Sequence, residues 1–255
     1  MPFRRRYRRL PSLKRIAALV LAVYVISFTP LGAIISPYLT SMGAWATGDY
    51  YFVGSGFYVN PHYVMTNYHV VQGCSAMKIR TLHGVFDVTR IRSNSAYDVA
   101  ALYTKEETTM YSIFRGKPHR EGEIAWFADY NSSPGAFSLI PAKVLKDDAY
   151  HQSNVWFSNR VRKGNSGTPL MDARGYVIGM VRSYNYTGNN PLLPEKVYNV
   201  AIGLPVLKYF LYSHAITYYE LPGESYNLLD DTLLKENMAV GILCRRKPET
   251  ISVRR

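Results

Sequence analysis

A chain of 255 residues with 47% hydrophobic residues, 22 Tyr and 19% charged residues can bury a sizeable core, and its composition gives no sign of disorder. The net charge of +12 does not describe a nucleic-acid-binding face. It sits at the two ends, with seven Lys and Arg and no acid in residues 1–15, and five with Glu249 in residues 245–255. The body between them holds 18 basic and 17 acidic residues and is electrically ordinary. Cys74 and Cys244 have no CxxC spacing, which excludes a zinc ribbon or a disulfide scaffold and leaves open one disulfide or two unpaired thiols.

Taken in chain order, the basic cluster Arg4, Arg5, Arg6, Arg8, Arg9, Lys14 and Arg15 precedes IAALVLAVYVISFTPLGAII, residues 16–35. This uncharged run is long enough to cross a bilayer as a helix. A cleaved signal peptide is the rival reading, but the nearest A-x-A pattern, Ala44-Trp45-Ala46, lies far downstream. The expectation is therefore a single-pass signal anchor, with the cluster in the cytoplasm and the remainder on the extracytoplasmic side. Residues 36–48 read as a linker.

From Asp49 onward, short β-type runs alternate with turn signals: YYFVGSGFYV, YVMTN, MKIRTL, GVFDVTRI, VAALY, EIAWFA, FSLIPAKVL, NVWFSN and KVYNVAIGL. Pro169–Met171 and Tyr176–Val181 flank a turn and form a hairpin. PVLKYFLY, residues 205–212, is the first stretch with a helical period, and 226–236 holds a second short helix. Many short strands without βα alternation predict an all-β sandwich or barrel. The last eleven residues read as a solvated basic tail.

Three segments carry chemistry. VRKGNSGTPL places Ser166 between Asn165 and Gly167 on the loop that enters the hairpin, a position for an exposed nucleophile with backbone amides beside it. Of six histidines, His69 follows a strand where the chain leaves the sheet, as a base held by rigid scaffold should, whereas His62 sits in the Asn-Pro turn. Asp98 directly precedes the apolar strand Val99–Tyr103 and is the candidate orienting carboxylate. Its rival, Asp87, alternates outward between Phe86 and Val88.

TNYHVV, YDVAAL and GNSGTPL together resemble the three motifs of trypsin-like serine peptidases, most of all the bacterial HtrA/Deg branch. They run in the order His, Asp, Ser with gaps of 29 and 68 residues. The resemblance covers residues 49–213 and implies two six-stranded β-barrels with the active site in the cleft between them, behind the membrane helix. It implies a Ser166–His69–Asp98 triad, an oxyanion hole from the Gly164 and Ser166 amides, protein or peptide substrates, and no cofactor or metal. Arg160, and Arg182 in a similar way, would favour acidic side chains in the primary pocket; a small apolar pocket near Val200 is the alternative. Asn165 replaces the Asp that binds a freed N-terminus in digestive enzymes, so activation by propeptide cleavage is not expected. Thr168 replaces a glycine and would narrow the approach of substrate. Residues 214–255 form an extension too short for a PDZ domain. A catalytically silent scaffold and a viral or plasmid-borne processing peptidase are the alternative functions. Nothing in the sequence specifies a homo-oligomer or excludes one.

Overall fold

The structure is a computed structural model that describes residues 50–130, 137–145, 153–159, 161–182, 198–221 and 239–246. The first half builds strands β1 (Tyr51–Tyr58), β2 (Tyr63–Thr66), β3 (Cys74–Thr81), β4 (Gly84–Asp87), β5 (Arg90–Asn94) and β6 (Val99–Tyr103), with a helical turn α1 (Tyr68–Val71) after β2. The β1–β2 turn is fixed by Asn60, whose Oδ1 accepts the His62 and Tyr63 amides at 2.9 and 2.9 Å.

These strands pair in the order β4-β3-β15-β1-β2-β6-β5, where β15 is Val240–Arg246 from the far end of the chain. β4 and β5 are nearly continuous. Val88 N–H donates to Met77 of β3 and Thr89 N–H to Tyr103 of β6, so one bent strand passes from the first edge to the last and closes the ring. β15 pairs with β1 from Tyr51↔Cys244 to Gly56↔Val240 and with β3 on its other side. The sequence reading set residues 214–255 apart as an extension, and that is corrected here: without β15 the first barrel would be open between β1 and β3. Arg245 and Arg246, the first two residues of the expected basic tail, are exposed but end a strand, and the rest of that tail lies outside the described residues. Cys74 of β3 and Cys244 of β15 are joined as a disulfide, Cα atoms 5.5 Å apart, which resolves the choice left open by spacing.

The second barrel contains β8 (Ile124–Tyr130), β9 (Phe137–Lys143), β10 (Asn154–Ser158), β11 (Pro169–Asp172), β12 (Val177–Val181) and β13 (Tyr198–Gly203), in the order β10-β13-β12-β11-β8-β9. A bridge between Val144 and Phe157, with Leu145 N–H donating to Trp156 at 2.8 Å, joins the two ends. Short strands β7 (Ile113–Arg115) and β14 (Tyr219–Leu221) pair in parallel beside β12. Helix α2 (Leu204–Ser213) leaves β13 through Gly203 with Pro205 in its first turn, close to the bounds expected for PVLKYFLY.

Strand alternation explains how the barrels meet. Val64, Ala100 and Leu102 point into the first barrel, while Met65, Val99, Ala101 and Phe57 point out of it. The outward set packs on Met171, Val177, Met180 and the apolar face of α2, Leu207, Phe210 and Leu211. VAALY is thus apolar at successive positions because both faces of β6 are covered. Among the described residues no helix is long and apolar enough to cross a membrane. The anchor expected over 16–35, the linker over 36–48 and the helix over 226–236 lie outside them.

Candidate active site

His69, Asp98 and Ser166 come from different elements and meet at the interface of the barrels. His69 follows β2 where the chain leaves the sheet, as expected, and there lies on the helical turn α1. Asp98 closes the turn before β6 with φ of 56°, a left-handed conformation that Asp tolerates better than most side chains. The turn is held by Tyr97 N–H on Asn94 Oδ1 at 3.1 Å and by the buried Asn67, whose Nδ2 donates to the Asp98 carbonyl at 3.2 Å.

Asp98 Oδ1 accepts the His69 backbone amide at 3.0 Å, and the imidazole Nδ1 is 3.0 Å from each carboxylate oxygen. An ionised carboxylate can only accept, so Nδ1 carries the proton and Nε2 presents its lone pair. That lone pair faces the Ser166 hydroxyl, with Nε2 3.0 Å from Oγ. Burial pushes the Asp98 carboxyl up. Hydrogen bonds from the His69 side chain and backbone, with the charges of His69 and Arg182, outweigh it and hold the group below its ordinary range.

The Ser166 loop is fastened to both barrels. Ser55 of β1 donates its amide to Ser166 O at 2.8 Å and its hydroxyl to Gly164 O at 2.6 Å, and Gly167 N–H donates to Val181 O of β12 at 2.9 Å. Gly164 has φ of +103°, and a Cβ there would lie 2.7 Å from Phe52 Cε1. Gly167 has φ of +88°, and a Cβ would lie 2.0 Å from Ser55 O. Both positions require glycine on two counts. Among the described residues no acceptor takes the Gly164 or Ser166 amide, so both remain available to an oxyanion.

Asn165 is buried. Its Oδ1 accepts the Arg162 amide at 2.6 Å, and its Nδ2 donates to Asp129 Oδ1 of β8 at 2.8 Å. Thr168, expected to narrow the approach to the cleft, is instead fully buried and donates its hydroxyl to Asn165 O at 2.8 Å. It braces the loop from inside.

The specificity residues are less united. Arg160 lies outside the described residues. Val200 is buried on β13, and its carbonyl accepts the Arg182 amide at 3.0 Å. Arg182, expected to line the pocket, turns to Asp98 instead, with Nε 3.3 Å from Oδ2. The carboxylate offers the guanidinium a partner that an apolar pocket wall does not. Asp87, the rival carboxylate, is exposed and pairs with Lys78 at 3.0 Å. His62 is half-buried in its turn, 3.4 Å from Glu107. No group of His, Cys, Asp or Glu that could hold a metal ion occurs among the described residues.

Sequence reasoning missed Ser55, Asn67 and Asp129. One signal for Ser55 was present in Gly54-Ser55-Gly56. A Cβ at Gly54 would meet Val70 at 2.8 Å and Ser166 O at 3.3 Å, and one at Gly56 would meet Met65 O at 2.6 Å. Small residues flanking a serine marked the place where the Ser166 loop crosses β1.

Residues 54–180 match the family model of the trypsin-like peptidase domain. An uncharacterised protein of Sinorhizobium fredii, y4bJ, is 28% identical over 207 residues, covering 75% of this chain and 32% of that protein. The serine protease Rv3671c of Mycobacterium tuberculosis is 27% identical over 140 residues, covering 50% of this chain and 35% of that protein. The chain thus spans about a third of the length of these curated relatives. The crystal structure of the active form of the Rv3671c protease superposes with a TM-score of 0.54 at 21% identity, covering 75% of this chain and 91% of that one.

Proposed function

We propose that this chain, a member of the trypsin-like peptidases through residues 54–180, is a serine endopeptidase that cleaves protein substrates through an acyl-enzyme. The observation that carries the reading is His69, hydrogen-bonded at 3.0 Å to Asp98 on one side and to Ser166 Oγ on the other. Ser166 Oγ attacks the peptide carbonyl carbon while His69 Nε2 takes its proton. Asp98 stabilises the imidazolium, and the Gly164 and Ser166 amides receive the oxyanion. Collapse breaks the C–N bond, the leaving amine takes the proton from His69, and an ester remains on Ser166. Water, deprotonated by the same nitrogen, then releases the acid and restores the serine.

The bonds from Asn165 to Asp129 and to the Arg162 amide support a loop that is ordered without a newly cut N-terminus. The peptidase domain in this reading runs from residue 49 to 246, since β15 completes its first barrel. In this reading residues 16–35 tether it to a membrane, with the catalytic domain on the extracytoplasmic side, which the seven flanking basic residues support.

The test is Ser166→Ala in the full chain. Peptide hydrolysis should fall by about 10⁶ and fluorophosphonate labelling should vanish, with the melting temperature nearly unchanged. Labelling that survives the substitution would refute the assignment of the nucleophile.

A further inference from the structure

Arg182 stands where the second barrel touches the catalytic carboxylate of the first. It follows β12 directly. Its amide donates to Val200 O at 3.0 Å, and its neighbour Val181 accepts the Gly167 amide at 2.9 Å. The backbone that carries the guanidinium is therefore the one that carries the nucleophile loop. From that base Nε reaches Asp98 Oδ2 at 3.3 Å, with the Arg182 and Asp98 side chains 27% and 13% exposed. Among the described residues the charged and titratable groups that face the Asp98 carboxylate are His69 from α1 and Arg182. The adjoining Tyr97 packs edge-on to Tyr209 of α2 and bears no charge.

A carboxylate shared in this way acts differently from one that serves the imidazole alone. Oδ1 takes the His69 backbone amide and Nδ1, while Oδ2 is divided between Nδ1 and a permanent cation. The guanidinium fixes the second oxygen, and so the carboxylate plane, against the ring. It also offsets part of the negative charge that the carboxylate places 3.0 Å from the ring nitrogen.

We propose that Arg182 is a positioning residue of the catalytic centre, holding Asp98 across the barrel interface and offsetting part of its charge so that activity persists to lower pH. The proposal rests on the peptidase reading above. It assigns Arg182 to the pH dependence of the enzyme and removes it from substrate selection.

The test is the pH profile of kcat/KM in the full chain for wild type, Arg182→Met, Arg182→Gln and Arg182→Lys. Met and Gln should move the midpoint of the acid limb upward by about 0.5–1 pH unit, the effect of a unit charge near a part-exposed site of high effective dielectric. Gln keeps an N–H donor, so its agreement with Met assigns the shift to charge. Lys restores the cation and should return the limb to the wild-type position. Preference for acidic over aliphatic side chains at the cleavage site should be the same in all four. Limbs that coincide in Met, Gln and wild type would overturn the proposal, as would a Lys variant that behaves like Met. Loss of the folded state in all three variants would overturn it too, because Arg182 would then be a fold residue. Failure of wild type to label with a fluorophosphonate at Ser166 would refute the peptidase reading itself. Labelling with an unmoved limb refutes this inference alone.

Discussion

Gly164→Ala tests whether the nucleophile loop has any freedom to adapt. The added Cβ meets the Phe52 ring at 2.7 and 3.3 Å, and the residue would have to hold φ of +103°, a conformation costing an L side chain about 1–3 kcal/mol. The loop cannot simply slide away. Ser55 grips the Gly164 carbonyl at 2.6 Å and the Ser166 carbonyl at 2.8 Å. Relief therefore comes by rotating the Gly164 backbone, which withdraws its amide from the place where the oxyanion forms. Loss of one such donor costs about 10²–10³ in kcat, or about 3–4 kcal/mol of transition-state stabilisation. The expected result is a kcat lowered by that factor, KM nearly unchanged, and a melting temperature lowered by a few degrees. Active-site titration with a fluorophosphonate corrects for dead enzyme. Phe52→Ala combined with Gly164→Ala removes the ring contact but not the backbone cost. The double variant should regain stability without regaining kcat. A Gly164→Ala enzyme within about threefold of wild type in kcat would refute the reasoning, because one donor of an oxyanion hole is worth far more than that.

The disulfide closes a separation of 170 residues. The Cys74→Ala, Cys244→Ala double variant should be less stable by about 3–5 kcal/mol from the chain entropy regained on unfolding, read as a lowered denaturant midpoint. Equal midpoints for oxidised wild type and variant would show that pairing with β1 and β3 alone holds β15. Asp98 gives a prediction in acid. Its carboxyl is held below the ordinary 3.8 in the folded state, so its contribution is complete above that value and is lost as pH falls through the lowered one. As pH falls below the ordinary carboxyl value the melting temperature of wild type should therefore fall more steeply than that of Asp98→Asn; parallel curves would contradict it.

The parts of the site that were legible in the sequence share a property: each is local. TNYHVV, YDVAAL and GNSGTPL carry their residue, its turn and the start of the adjoining strand within a few positions. Asp98, His69 and Ser166, which the structure links in succession at 3.0 Å, could thus be grouped from three fragments whose order and gaps fit one fold. Gly164 was legible for the same reason, because a tight turn with φ of +103° favours a residue without a Cβ. The β-class was legible because a strand covered on both faces, such as Val99–Tyr103, has an apolar composition that neither a surface loop nor an amphipathic helix shares.

The features that were missed are pairings over long sequence distance, where a residue's type is compatible with two environments. Val240-Gly-Ile-Leu-Cys is a strand by composition, but composition does not say which sheet receives it, and its partners β1 and β3 lie some 160 positions or more upstream. The two cysteines could not be paired for the same reason. A disulfide needs Cα atoms within about 7 Å, and it is the seating of β15 beside β3 that brings them to 5.5 Å. Arg182 shows the ambiguity most sharply. A cation one step beyond β12 can serve a substrate pocket or a catalytic carboxylate, and the choice is made by Asp98, 84 positions earlier on the other barrel. Thr168 was assigned to the cleft because it replaces a glycine after Ser166. The Asn165 carbonyl instead accepts both its amide and its hydroxyl, at 3.0 and 2.8 Å, inside the loop. In each case the side chain went to the strongest partner that the tertiary fold brought within reach. Local sequence lists the groups that need partners, and strand order decides which partner each one meets.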